Sequence, residues 1–83
     1  MDRRTVDLPS GGFINIAEGD IGVDIDLVDK TRGIFDRIVL RGDKIFFIDA
    51  RTRDEIDSVV THLREVECLL PNVVRNALQK LPS

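Results

Sequence analysis

The stretch IVLRGDKIFF at residues 38–47 decides the expected fold. Two runs of branched and aromatic residues, which are typical of β-strands, stand on either side of the charged corner Arg41-Gly42-Asp43. Glycine readily takes a positive φ, and aspartate tolerates the geometry of a tight turn. The stretch therefore predicts an antiparallel β-hairpin with its turn at this corner.

Upstream of the hairpin, apolar and polar residues alternate as they do in half-buried strands. The segment IGVDIDLV predicts one apolar face, formed by Ile21, Val23, Ile25 and Leu27, and one polar face, formed by Gly22, Asp24 and Asp26. The turn residues PSGG separate two earlier runs, TVDL and FINIA. The five predicted strands have no helical pattern between them. They therefore favour a meander that curls into a small, strongly bent five-stranded antiparallel barrel.

After Thr52, apolar residues recur every three or four residues instead of every two. The run TRDE at this point is typical of a capping box between Thr52 and Glu55. An apolar stripe with helical spacing follows, at Ile56, Val59, Val60, Leu63, Val66 and Leu70. Pro71 favours a bend and the start of a second short helix, with Val73, Val74, Ala77, Leu78 and Leu81 apolar. We expect a single domain over residues 1–83, with the barrel in 1–51 and the helical segment in 52–83.

The composition indicates a globular chain whose charge is nearly balanced. Twelve basic and fifteen acidic side chains give a net charge of −3, which argues against broad, charge-driven attachment to nucleic acid or membrane. Any anion site must therefore be local. A single cysteine cannot form an internal disulfide, and no signal peptide or membrane-spanning run is recognisable, so we expect a cytoplasmic protein.

The chain lacks the sequence patterns of common catalytic or metal sites. His62 lies at the margin of the helical stripe, and Cys68 lies off it without a flanking cation, so we interpret both as ordinary residues. The acidic set Asp20, Asp24, Asp26 and Asp29 lacks the spacing of a calcium loop and is interpreted as a solvated strand face. We expect no enzyme activity, no cofactor and no bound metal.

One family resemblance covers residues 5–50. The run FDRIVLRGDKIFFI resembles the second signature of Sm and LSm-like proteins, in which an apolar strand leads to Arg-Gly, then Asp or Asn, then another apolar strand. The upstream run DIGVDIDLVD is similar to the first signature, and TVDLPSGGFI is similar to the usual opening strand and turn. The three segments follow one another in the family's order.

The resemblance implies a bent five-stranded barrel whose copies join edge to edge, fourth strand to fifth, in a ring. In that family, loops of the two signatures meet at the pore and hold single-stranded RNA that is usually rich in uridine. Carried over by resemblance, the RNA-binding residues are Asp20, Gly22, Asp24, Arg41, Gly42 and Asp43. Ring closure would also pair the free strand edges of a small open sheet.

The chain departs from the family at two positions of this pocket. Gly22 stands where an aromatic or histidine side chain commonly stacks on the base, and stacking typically contributes about 1–3 kcal/mol per base. Asp24 replaces an asparagine, so an ionised side chain there accepts hydrogen bonds but cannot donate them. The usual N-terminal helix also has almost no room before Thr5.

Two functional hypotheses follow. The first is a homo-oligomeric, ring-forming Sm-like module that binds single-stranded RNA at the pore through Arg41 and Gly42. The second is an oligomeric structural or protein-interaction module that does not bind nucleic acid and docks a protein partner through its C-terminal helices. Neither hypothesis involves a membrane, and the sequence leaves open whether the helices cover their own sheet, a neighbouring subunit or a partner.

Overall fold

The computed structural model describes residues 2–29 and 33–81, together with their side chains except those of residues 34 and 35. Five strands are followed by two helices that are linked by a short 3₁₀ turn. The strands are β1 (Asp2–Asp7), β2 (Phe13–Gly19), β3 (Gly22–Asp29), β4 (Gly33–Arg41) and β5 (Lys44–Phe47). The helices are α1 (Arg53–Glu65) and α2 (Asn72–Gln79), with the 3₁₀ turn at Glu67–Leu69.

The strands form one antiparallel sheet in the order β1-β2-β3-β4-β5, so each strand pairs with its neighbour in sequence. The predicted hairpin at the charged corner is confirmed, with Arg41 opposite Lys44. The prediction for Ile21 is wrong, because this side chain is 76% exposed. Gly19 pairs with Gly22, so Asp20 and Ile21 form the two-residue turn between β2 and β3 rather than the start of a strand.

One face of the sheet is apolar and packs against the helices. Its buried residues alternate along the central strands as predicted, at Ile14, Ile16, Val23, Ile25, Leu27, Ile38 and Leu40. The two helices and the link between them contribute buried side chains to the same core, at Val59, Leu63, Val66, Leu70, Val74, Ala77 and Leu78. The helical stripe therefore covers the protein's own sheet.

The predicted capping box at the start of α1 is confirmed. The amide of Glu55 donates to the Thr52 hydroxyl at 3.1 Å, and the Thr52 amide donates to the Glu55 carboxylate at 3.3 Å. The predicted bend at Pro71 is also confirmed, because α2 begins at the next residue. Of the two adjacent valines in α2, Val74 faces the core and Val73 is 40% exposed.

The predicted closure of the sheet into a barrel is not confirmed. Among the described strands, β1 and β5 are the two edges of the sheet and do not pair with each other. The helices cover the apolar face that a curled sheet would otherwise have to cover with its own strands. The observed architecture is an antiparallel five-stranded sheet with two C-terminal helices on one face.

Candidate functional site

The charged corner is a tight turn between β4 and β5. Gly42 has a φ of +64°, a conformation that glycine adopts without the steric cost of a side chain. Asp43 is the other turn residue, and its carboxylate lies 3.7 Å from the ammonium group of Lys80, just after α2. Both side chains of this ion pair are exposed, so its contribution to stability is small. The pair nevertheless indicates that the end of α2 lies beside the corner.

Pairing of β3 with β4 brings three of the predicted site residues together. Val23 is opposite Leu40, so Gly22 and Arg41 lie next to each other at the same end of the sheet. Nη1 of Arg41 donates to the Asp24 carboxylate at 3.1 Å and to the carbonyl oxygen of Leu40 at 2.8 Å. The guanidinium is therefore held by groups of its own chain, although its side chain remains 38% exposed.

Gly22 is required by this close packing. A Cβ at this position would collide with the carbonyl oxygen of Leu40 and would lie 2.7 Å from Nη1 of Arg41. The space that an aromatic side chain would need for stacking on a base is thus occupied by β4 and the arginine. The departure from the family at Gly22 consequently has a structural reason within this chain.

Asp20 lies apart from the other predicted residues. It is exposed in the turn between β2 and β3, where it lines a shallow hollow together with Asp2, Glu18 and Gly19. That hollow faces the β1 side of the sheet. The structure therefore brings together Gly22, Asp24 and Arg41, with Gly42 and Asp43 in the adjoining turn, and leaves Asp20 outside this contact.

The polar face of the sheet carries a second ion pair parallel to the first. The Nε atom of Arg37 donates to Asp26 at 2.9 Å, and these two residues are direct cross-strand neighbours. This hydrogen bond raises the pKa of the Arg37 guanidinium. Two members of the acidic set, Asp24 and Asp26, are thus engaged by arginines. Within residues 2–29 and 33–81, no group of three or more acidic, histidine or cysteine side chains is arranged to hold a metal ion.

Asp36 is a buried carboxylate that the sequence analysis missed. It is 3% exposed, and burial raises its pKa although backbone amides of Arg37, Asp49 and Ala50 donate to it and lower the pKa in part. These contacts hold the link between β5 and α1. The sequence does contain an indication of this burial. Asp36, Ile38 and Leu40 are two residues apart along β4, so their side chains point to the same, inward face of the sheet.

A partly apolar groove, here called the α1 groove, was also missed. It has a volume of about 660 Å³ and is lined by Ile56, Val60 and Leu81, with Arg53, Asp57 and Arg64 among the polar residues at its sides. Periodicity places the apolar residues on one stripe, but it cannot indicate which of them the core covers completely.

The end of the α1 groove at Leu81 lies near the turn that precedes β5. Its three apolar residues, like Ile45 and Phe47 of β5, are partly buried and pack against the common core. The ion pair between Lys80 and Asp43 joins the end of α2, next to Leu81, to the turn that precedes β5. The core is therefore only partly covered at β5, along one side of α1 and at Leu81.

The other two residues considered in the sequence lie in the helical segment. Nδ1 of His62 lies 2.7 Å from the carbonyl oxygen of Ser58 on the preceding turn of α1, and Cys68 is exposed. In the part of the chain that the structure describes, neither helix has the length and hydrophobicity needed to span a bilayer.

No protein-family model matches this chain, and no curated protein or solved structure is significantly similar to it. The resemblance to Sm and LSm-like proteins therefore stays a prediction.

Proposed function

We propose that this protein is an interaction module that binds an extended polypeptide segment in the α1 groove, beside β5. The observation that carries this proposal is the incomplete cover of the core at this place. Ile45 and Phe47 of β5 and Ile56 and Val60 of α1 are only partly buried, whereas the core residues of the central strands are almost fully buried. An apolar segment bound here would remove this surface from water.

The position of the groove suits strand addition. Among the described strands, β5 has a neighbour on one side and an open edge on the other. An extended segment can form main-chain hydrogen bonds with such an edge while its alternate side chains enter an adjoining groove. The proposal refines the hypothesis of docking through the C-terminal helices. Most apolar side chains of both helices are buried in the protein's own core, and the partly buried Ile56 and Val60 of α1 remain available for a partner.

The proposal is tested by titrating the isotope-labelled protein with a blocked hexapeptide in which valine and threonine alternate. We expect saturable NMR shifts at the amides of Ile45, Phe47 and Val60. Val60→Asp should abolish them, because a bound peptide would strip the charged carboxylate of its water. The matched control is Val73→Asp, since Val73 is an exposed helical valine outside the groove.

Circular dichroism must first show that both variants remain folded. The absence of saturable shifts at millimolar peptide, or equal binding by Val60→Asp and Val73→Asp, would overturn the proposal.

A second candidate function is binding of single-stranded RNA at the charged corner. It is supported by the contact among Gly22, Asp24 and Arg41, three of the residues that the family resemblance implies. An RNA phosphate or base edge would have to compete with Asp24 for the guanidinium. We therefore expect weak, salt-sensitive binding compared with a site whose arginine is free.

Ring assembly would require a different strand pairing from the one implied by the resemblance. Residues 38–41 of β4 already pair with β5 of the same chain. A ring would instead join the open β1 edge of one copy to the open β5 edge of the next. The sheets of all copies would then form one closed, barrel-like sheet. The pore residues would then be contributed by successive copies.

Fluorescence anisotropy of a labelled uridine hexamer at low salt tests the second candidate. Arg41→Ala should weaken binding at least about tenfold if the guanidinium contacts the RNA, since charge-assisted hydrogen bonds are among the stronger polar contacts. Arg53→Ala removes the same charge on α1, outside the residues that the resemblance implies, and should have little effect. Equal losses in both variants, or no binding by the wild type, would exclude a site at the corner.

A further inference from the structure

The backbone amides and carbonyls of β5 that point to the open edge of the sheet can be identified from its pairing with β4. The amide of Ile48 donates to the carbonyl oxygen of Arg37, so Ile48 directs its backbone groups toward β4. Backbone direction alternates along an antiparallel strand. Phe46 therefore also directs its backbone toward β4, whereas Ile45 and Phe47 direct their amides and carbonyls toward the open edge.

The side chains of β5 are apolar on both faces. Ile45 and Phe47 pack partly against the core on the helix side. On the opposite face Phe46 is 46% exposed, and Ile48, just after the strand, is 48% exposed. Lys44 at the start of β5 is the charged residue of this short strand. Since soluble proteins usually protect edge strands with charges, prolines or bulges, an apolar edge such as this one is suited to pairing.

We propose that the occupant of this edge is β5 of a second copy of the chain, paired antiparallel across a two-fold axis at Phe46. This inference rests on the proposed function, and it names the partner for the same groove. In this register Ile45 of each copy faces Phe47 of the other, and the two Phe46 side chains face each other. The two five-stranded sheets become one continuous sheet.

This register satisfies both the main chain and the side chains. Ile45 and Phe47 are the residues with outward backbone groups, so the amides and carbonyls of each pair bond mutually. Their side chains lie on the helix side of both copies and extend the two cores toward each other. Phe46 meets its counterpart in a non-hydrogen-bonded pair, in which cross-strand side chains are closest.

The charges beside the groove are compatible with the same arrangement. A two-fold axis perpendicular to the sheet runs the two copies of α1 in opposite directions. Arg53 and Asp57 lie at the side of the groove, four residues apart on α1. This side of α1 therefore carries charges of both signs, as an interface between two identical surfaces needs for charge complementarity.

The other open edge is a poorer match for β5. β1 begins with the exposed charged residues Asp2, Arg3 and Arg4. A head-to-tail contact would place this charged strand beside the apolar β5. The two-fold pairing of β5 with itself is therefore favoured over a ring.

The inference is tested by light scattering over a range of protein concentrations. We expect a species of twice the 9.3 kDa chain mass. Phe46→Lys should raise the dimer dissociation constant by about tenfold or more, because it sets two ammonium groups against each other at the axis. Ile48→Lys provides a second variant in case the first does not fold. The control is Ile21→Lys, which changes an equally apolar and more exposed residue outside the edge and should leave the dimer intact.

Hydrogen exchange identifies the surface. In the dimer the amides of Ile45 and Phe47 should be protected, and this protection should be lost in Phe46→Lys. A monomer at millimolar concentration, an assembly larger than a dimer, or a dimer with both amides unprotected would overturn the inference. If a monomer still shows saturable shifts with the valine-threonine peptide, the groove binds a different polypeptide and the proposed function stands without this partner. If those shifts are also absent, both proposals fail.

Discussion

Replacement of Asp36 is expected to destabilise the fold strongly, because its carboxylate holds the link between β5 and α1. The side chain is 3% exposed and accepts hydrogen bonds from the backbone amides of Arg37, Asp49 and Ala50. Asp36→Ala would leave these donors without their acceptor, and each unsatisfied buried donor costs about 1–3 kcal/mol. Because Asp49 is exposed and water can reach part of the link, we expect a total loss of about 2–4 kcal/mol.

Such a loss is large for a chain of 83 residues, since stability is roughly 0.05–0.15 kcal/mol per residue. Urea unfolding at neutral pH, followed by circular dichroism, measures it. The melting temperature should fall by roughly 4–8 °C for each kcal/mol. Asp20→Ala removes an exposed carboxylate and should change the stability by less than about 0.5 kcal/mol. A loss for Asp36→Ala no larger than that for Asp20→Ala would refute the assigned role.

The pH dependence gives an independent check on Asp36. Burial raises its pKa above the ordinary value of 3.8. A group whose pKa is higher in the folded state contributes stability that is fully present below the unfolded-state pKa and is lost as the pH rises through the folded-state pKa. The free energy of unfolding of the wild type minus that of Asp36→Asn should therefore decrease as the pH rises above about 4. A difference that is constant or increases with pH would contradict this sign.

Three further predictions concern the backbone. Thr52→Ala removes the cap that accepts from the Glu55 amide, so urea unfolding should show a loss of about 0.5–2 kcal/mol. Gly22→Ala places a methyl group against the carbonyl oxygen of Leu40 and should cost about 1–3 kcal/mol, with exchange of the β3–β4 amides showing the altered pairing. Gly42→Ala meets no neighbouring atom within 4 Å but keeps a φ of +64°, so thermal unfolding should show a loss of about 1–2 kcal/mol. If Gly42→Ala lost clearly more stability than Gly22→Ala, the backbone around residue 22 would have shifted to remove the predicted collision.

Local patterns predicted the elements well where neighbouring residues in the chain determine the structure. The hairpin depends on the turn chemistry of Gly42 and Asp43, and the start of α1 depends on hydrogen bonds between Thr52 and Glu55. Ile21 was placed wrongly because periodicity extends an apolar face through any apolar residue. The start of β3 at Gly22, which excludes Ile21 from that face, depends on the turn between β2 and β3.

The candidate site was predicted in part. The order of the two signature-like segments identified Gly22, Asp24 and Arg41, and the antiparallel register of β3 and β4 brings these residues into contact. The intramolecular hydrogen bonds of Arg41 and the separate position of Asp20 depend on side-chain geometry. These features of the site lie beyond what spacing along the chain can indicate.

The sequence by itself determined the five strands, the hairpin corner and the capped helix, because alternation, turn residues and capping act over a few residues. The tertiary structure decided that the helices cover an open sheet, that Asp36 is buried, and that the core is only partly covered at β5 and along one side of α1. These features depend on how separate elements pack, and burial is a property of the packed elements together. The same apolar stripe can be fully covered at Val59 and only partly covered at Val60, although the two residues are adjacent in the chain.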